Sequence, residues 1–329
     1  MTDLSTRFFG LTLKNPVIAG SCGLTGNIDS IVKIAKAKPG AIVLKSVFEE
    51  EIDLMYQKEQ SSNYTQNLDP EYLNYFDYVI KEENLVKYLD LIHQAKKLVD
   101  VPIVASVSCI TSNEWISYVK RFQDAGADAI ELNLFIIPSD LRRTNEENER
   151  FYFESVRKVR EMVSIPVTIK VSYYFSNLAK MMKDLSSTGI TGITLFNRFY
   201  SPDIDIEKEE LTAGDVLSNS DEYLLPLRWT GILSSKVDCP IAATTGIKSS
   251  ETAVKMILAG AGAVQIASAV YKEGPDVIGK IVKGIEEWMN KKSYKSINDF
   301  KGKLSVHTDD ITAYERVQFM KYFGTKDNK

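Results

Sequence analysis

Eight short, almost uninterrupted apolar runs, each followed by a stretch of helical periodicity, recur from one end of the chain to the other. They are residues 16–20 (PVIAG), 41–45 (AIVLK), 102–107 (PIVASV), 129–134 (AIELNL), 166–171 (PVTIKV), 192–197 (GITLFN), 240–244 (PIAAT) and 263–267 (AVQIA). Strands covered on one face alternate apolar and polar residues, whereas strands covered on both faces read as continuous apolar runs. The segments between them carry helical spacing, as in Trp115, Ile116, Val119 and Phe122, or Ala253, Val254, Ile257 and Leu258. Pro102, Pro166 and Pro240 open runs, where a missing N–H costs little. The segments 125–127 (AGA) and 259–262 (AGAG) close helices, where glycine takes a left-handed cap. Eight such units predict an α/β fold of the closed (β/α)8 TIM-barrel type. The alternative is an open doubly wound sheet, which has fewer strands and a glycine-rich first turn. Here the turn after the first run is Gly20-Ser21-Cys22-Gly23, not GxGxxG.

The chain has 329 residues, more than the roughly 250 of a typical barrel, and spacing locates the excess. Lys45 and Val107 lie 62 positions apart, Val107 and Asn133 only 26, and Asn197 and Thr245 lie 48 apart. The two insertions, near 49–81 and 201–226, each follow a strand and so belong to the C-terminal face, where barrels keep their active sites. The expected layout is one domain over residues 1–329, with extended loops on that face and a tail over 305–329. A net charge of −4 gives no electrostatic pull toward nucleic acid or an anionic membrane. No run approaches the roughly 20 apolar residues of a bilayer span. Cys22, Cys109 and Cys239 form no CxxC pair and fit a reducing compartment. With no leader-like pattern in MTDLSTRFFG, the expected location is the cytoplasm. His93 and His307 are the only histidines and stand far apart, so neither a metal site nor a histidine triad is expected.

The residues that close the eight runs carry the chemistry. In order they are Gly20-Ser21, Lys45-Ser46, Ser106 with Ser108, Asn133, Lys170, Asn197, Thr245-Gly246 and Ala267-Ser268. Two are lysines inside otherwise apolar runs, IVLKS and VTIKV. A lysine there is costly unless its ammonium reaches water or an electron-rich partner. Small residues at the ends of the last two runs suit a phosphate corner, where backbone N–H groups must approach an anion closely. Amides, ammonium groups and a phosphate corner on one rim suggest a phosphorylated, planar, hydrogen-bonding cofactor such as FMN.

These residues resemble the dihydroorotate dehydrogenase family, and its cytosolic class 1 members most of all. The similarity rests on Asn15-Pro16 through Ser21, Leu44-Lys45-Ser46, Glu131-Leu132-Asn133-Leu134, Ile169-Lys170, Asn197 and the long segment AGAGAVQIASAVYKEGP. The resemblance implies an FMN-binding barrel of pyrimidine biosynthesis that moves hydride between a small planar, dihydroorotate-like substrate and flavin N5. Gly20 and Ser21 would lie along the ring, Lys45 and Ser46 on its substrate side, and Asn133 and Lys170 at its hydrogen-bonding edge. Thr245, Gly246, Ala267 and Ser268 would cradle the phosphate, although Thr245 and Ala267 stand where the family often has glycine. Lys45, Asn133 and Asn197 form the expected catalytic set. An external, fumarate-like electron acceptor and a homodimer are further implications. The family's E-L-N-x-S-C-P-N reads here as ELNLFIIP, so Ile136 occupies the place of the cysteine that takes the C5 proton. An alkyl group cannot accept a proton. Three readings follow: a base relocated to Ser139, Tyr174 or Cys22, a different substrate, or a flavin protein with little dehydrogenase activity.

Overall fold

A computed structural model of the chain describes residues 2–48, 70–108, 114–199, 201–306 and 314. Residues 49–69 of the first expected insertion, Cys109, His307 and the tail beyond Val306 other than Tyr314 lie outside the described residues. An antiparallel hairpin, β1 (Thr6–Phe8) and β2 (Leu11–Leu13), comes first. The alternation then begins with β3 (Val17–Ala19), α1 (Ile28–Lys36), β4 (Ala41–Val43) and β5 (Val47–Phe48). It continues through α2 (Pro70–Leu98), β6 (Ile103–Ser108), α3 (Glu114–Asp124), β7 (Ala129–Leu134), α4 (Asn145–Met162) and β8 (Val167–Val171). Next come α5 (Leu178–Ser186), β9 (Ile193–Leu195), the hairpin β10 (Pro202–Asp205) and β11 (Glu210–Ala213), and α6 (Leu224–Leu233). The described elements end with β12 (Ile241–Thr244), α7 (Ser250–Leu258), β13 (Ala263–Ile266), α8 (Ser268–Glu273) and α9 (Asp276–Lys291).

The parallel strands pair in the order β4-β3-β13-β12-β9-β8-β7-β6, and β4 pairs back onto β6, which closes the barrel. Each of the eight apolar runs supplies one stave. The second stave differs from expectation, because β4 stops at Val43 and the chain returns to the sheet only as β5, against the same neighbour β6. The described part of the first insertion, from Pro70 onward, belongs to α2. Proline suits that first helical turn, where its missing N–H has no helical partner to lose. The second insertion contains the β10–β11 hairpin, whose residues are almost all exposed. No described helix is long and apolar enough to cross a membrane.

Strand pleating separates two cores. Outward residues such as Ile42, Ile103, Ala105, Ile130, Leu132, Ile169 and Ile193 pack with the surrounding helices. Inward residues Ile18, Ala41, Val43, Val104, Ala129, Ala242 and Ala263 form a separate apolar floor. The β1–β2 hairpin plugs that floor with Phe8 and Phe9, whose rings meet edge to face at 4.5 Å. Its two-residue turn, Phe9-Gly10, has φ of 55° and 69°, the pattern of a turn that matches the twist of a hairpin. A Cβ on Gly192 would lie 2.7 Å from the Phe8 ring. Gly192→Ala is therefore expected to lower stability by about 1–3 kcal/mol through overpacking of the plug, read by denaturant unfolding.

Candidate active site

Along β6, β7, β8 and β13 the inward residues become more polar from the floor to the opposite mouth. β6 runs Val104, Ser106, Ser108; β7 runs Ala129, Glu131, Asn133; β8 runs Thr168, Lys170; and β13 runs Ala263, Gln265. Glu131 is fully buried in the middle layer. Its Oε2 accepts from Thr194 Oγ1 at 3.0 Å and from Gln265 Nε2 at 2.5 Å, so the partners of that oxygen are a hydroxyl and an amide. Within this layer Glu131 Oε1 and Gln265 Oε1, and above it Ser108 Oγ and Asn133 Oδ1, are buried without a protein partner among the described residues. Polar atoms are rarely buried in that condition unless a ligand or solvent meets them.

A cavity of about 460 Å³ opens at this mouth. Seven of the residues expected from sequence line it: Ser21, Lys170, Asn197, Thr245, Gly246, Ala267 and Ser268. The other four are not among its lining residues. Gly20 donates its N–H to Ile266 O at 2.9 Å. Ser46 stands behind Ser21, with its Oγ 3.1 Å from Ser21 Oγ and 2.7 Å from Ser106 Oγ. Asn133 pairs in register with Lys170 across β7 and β8. Lys45 follows the break in the second stave, and its alkyl chain packs over Gly26. Of the expected catalytic set, then, only Asn197 lines the cavity itself. Cys22, Gln265, Phe196, Arg198 and Tyr271 also line it and were not in the expected set. Gln265 is legible as the one polar residue inside AVQIA; Cys22, Phe196 and Arg198 sit just past strand ends and Tyr271 on α8, where strand periodicity says nothing.

Arg198 follows Asn197 and fastens the second insertion over the mouth. Its Nε donates to Glu222 Oε2 at 2.8 Å, Nη2 to Asp215 O at 2.7 Å and to Glu222 Oε1 at 3.3 Å, and Nη1 to Val216 O at 2.8 Å. Burial pushes the Glu222 carboxyl up, but the guanidinium and the Asn219 N–H outweigh it and hold the group below its ordinary range. Ser218 N–H donates to Ser268 Oγ at 3.0 Å, which ties the same loop to the last strand end. Next to these elements stands an aromatic group. Phe199 contacts Phe135 edge to face at 5.3 Å and Tyr174 at 5.2 Å, and Tyr173 contacts Phe196 at 5.8 Å. A hydrogen bond with Tyr174, assisted by burial, pushes the Tyr173 phenol up to about 12.

Ile136 lines a separate cavity of about 310 Å³ with Tyr152 and Asn148, and its N–H donates to Tyr152 Oη at 3.1 Å. Of the three candidate replacement bases, Ser139 is exposed and its Oγ lies 3.5 Å from Ile137 O. Tyr174 belongs to the aromatic group, and Cys22 lines the main cavity.

Over residues 3–289 the chain matches the family model for dihydroorotate dehydrogenase. The chain belongs to the dihydroorotate dehydrogenase family. It is 28% identical over 301 residues to the catalytic subunit of dihydroorotate dehydrogenase B (NAD(+)) of Methanosarcina mazei, a span covering 89% of this chain and 92% of that protein. It is 26% identical over 325 residues to dihydroorotate dehydrogenase A (fumarate) of Lactococcus lactis subsp. lactis, covering 92% and 99%.

Dihydroorotate dehydrogenases are FMN-dependent oxidoreductases acting on CH–CH groups, and the residues of this mouth fit that cofactor. Unpartnered amide oxygens and an ammonium face the same region as a corner of small residues. At that corner Gly246 has φ of 71°, and a Cβ on it would lie 2.3 Å from Tyr223 N. Thr245, where the family often has glycine, has φ of 78°. A β-branched residue is strained there, by about 1–2 kcal/mol. Thr245→Gly is therefore expected to be about 1 kcal/mol more stable than Thr245→Ala, after the entropy of glycine is subtracted. Both variants lose the weak bond from Thr245 Oγ1 to Phe196 O at 3.4 Å, so thermal unfolding of the pair isolates the backbone effect.

Proposed function

We propose that this chain is an FMN-dependent oxidoreductase of the dihydroorotate dehydrogenase kind, oxidising a CH–CH bond beside a carbonyl in a small planar ring, within pyrimidine biosynthesis. The observation that carries this reading is the convergence of Ser21, Lys170, Asn197, Thr245, Gly246, Ala267 and Ser268 on one cavity. FMN, when bound, supplies the hydride acceptor at N5. Lys170 would hold the electron-rich edge of the ring, with the Asn133 and Asn197 amides fixing its orientation. Gly20 and Ser21 would give the ring a flat seat, and the hydroxyl and N–H of Ser46, its hydroxyl braced in turn by Ser106 Oγ, hold Ser21 in place. Backbone N–H groups of residues 245–246 and 267–268 would meet the phosphate. Lys45, just past the break in the second stave, would act on the substrate side. The insertion held by Arg198 would exclude water from the cavity. An external small molecule would take the electrons, fumarate-like as in the A-type relative, and the assembly would be a cytoplasmic homodimer of single-domain barrels.

The first test is colour. Purified protein is expected to be yellow, with flavin absorbance bands, or to become so on adding FMN; a protein that stays colourless overturns the reading. Anaerobic mixing with dihydroorotate then reads the substrate. Bleaching would mean that a group other than Ile136 takes the proton, whereas bleaching only by another ring donor would mean a changed substrate.

A further inference from the structure

The reaction proposed above needs a group that takes a proton from the carbon beside the substrate carbonyl, and the alkyl side chain of Ile136 cannot be that group. The cavity that Ile136 lines, of about 310 Å³, is also lined by Tyr174. Tyr174 lines in addition an aromatic compartment of about 340 Å³, which shares Phe196, Asn197, Arg198 and Thr245 with the flavin cavity. One side chain thus borders both the space around Ile136 and the compartment adjoining the flavin, and it ends in an ionisable hydroxyl. It follows β8, the stave that carries Lys170.

The neighbouring acid–base groups are less suited. Glu222 lines the same compartment, but Arg198 Nε, Arg198 Nη2 and the Asn219 N–H all donate to its carboxylate. Held below its ordinary range, it is a weak base. Arg198 stays protonated. Cys22 directly follows Ser21, in the segment that would seat the flavin ring. Ser139 is exposed, with its Oγ 3.5 Å from Ile137 O. Tyr174 Oη lies 3.5 Å from Tyr173 Oη, its side-chain partner among the described residues. Tyr173, whose phenol that contact and burial push up to about 12, keeps its proton and can donate it as a hydrogen bond to an ionised Tyr174, which favours the charged form. The titratable residues on the other side of Tyr174 are Glu149 and Tyr152, in the cavity of Ile136.

We propose that Tyr174 takes the proton from the carbon beside the substrate carbonyl, with Tyr173 as the residue that positions its hydroxyl. The proposal rests on the flavin reading. The C–H bond breaks toward Tyr174 Oη, which enters the step as phenolate and leaves it as phenol. The electron pair left on carbon forms the ring C=C bond as hydride departs from the neighbouring carbon to the oxidised flavin. Tyr174 is 40% exposed, so its proton then passes to water.

The test separates proton removal from the redox step. FMN-loaded protein, its flavin kept reduced, is mixed with dihydroorotate in D2O, and NMR follows deuterium entering the ring CH2 beside the carbonyl. The parent protein is expected to exchange this position faster than buffer does. Its rate should rise about tenfold per pH unit between about pH 7 and 9, as a phenol acceptor with a pKa of roughly 10 requires. Tyr174→Phe keeps the ring and is expected to slow exchange by about 10²-fold or more. Orotate affinity of that variant, read by calorimetry on the oxidised protein, should change by less than about threefold. Tyr173→Phe should slow exchange by about three- to tenfold through loss of the donor, and Ser139→Ala should leave it unchanged. Exchange as fast in Tyr174→Phe as in the parent overturns the proposal, and loss in Cys22→Ala instead would assign the proton to the thiol. A parent rate that is flat over this pH range, which a carboxylate such as Glu222 would give, also overturns it. So does a parent protein that exchanges no faster than buffer. If the protein takes up no FMN, the functional reading fails by itself, and exchange measured on the flavin-free protein still decides whether Tyr174 moves the proton.

Discussion

Gln265→Leu is expected to lower the unfolding free energy by about 2–3 kcal/mol, the cost of leaving a buried carboxyl group short of a donor. Glu131 is fully buried inside the barrel, and Gln265 Nε2 and Thr194 Oγ1 are its donors among the described residues. Gln265 also sits 3.3 Å from Thr194 Oγ1, so one amide ties three staves, β7, β9 and β13, through their interior faces. Leucine fills similar space but donates nothing. The double variant Glu131→Leu with Gln265→Leu provides the control. With both polar partners gone, no group is stranded, and the pair is expected to be less destabilised than Gln265→Leu alone. Denaturant unfolding of the two variants checks this. If the double variant is the weaker one, the interior layer is held by shape rather than by its hydrogen bonds.

The sequence made the barrel legible for a physical reason that also set the limits of the reading. Strands buried on both faces must be apolar throughout, so each stave announced itself, and Pro166 or Gly192 marked where it began. What a run cannot report is a local break. Leu44 continues the apolar pattern of AIV, but the strand stops at Val43 and resumes only at Val47. Lys45 consequently packs over Gly26 instead of lining the cavity. TRFFGLTL carries the signature of the N-terminal hairpin, alternating residues about a Phe-Gly turn, but three-residue strands fall below what periodicity can resolve. Polar strand ends were readable wherever they interrupted an apolar run, as Lys170 does in VTIKV. The Arg198–Glu222 clasp and the aromatic compartment were not. They join residues 24 positions apart through loops, and nothing in either segment specifies the other.

Lys170→Ala is expected to weaken FMN binding by about tenfold or more and to slow flavin reduction by about 10²-fold or more, the scale set by removing one preorganised electrostatic contact from an active site. Lys170 lies on a central stave, in register with Asn133 on one side and Thr194 on the other, so neighbouring strands fix its backbone on both edges. It lines the cavity, and among the described residues no carboxylate pairs with it. The other lining cation, Arg198, is engaged by Glu222. On the proposed flavin reading, Lys170 would be the ammonium that faces the electron-rich ring. If it serves the ring and not the phosphate, Lys170→Ala should weaken riboflavin and FMN by the same factor. A variant of the phosphate corner, by contrast, should weaken FMN alone. Lys170→Arg keeps the charge and should restore much of the affinity but less of the rate, because the longer planar group cannot occupy the same point. Fluorescence titrations with the two flavins measure the binding factors, and anaerobic stopped-flow reduction measures the rate. Equal flavin content and an unaltered reduction rate in Lys170→Ala would remove this lysine from the site. The polar strand ends would then have to be explained by the packing of the barrel mouth.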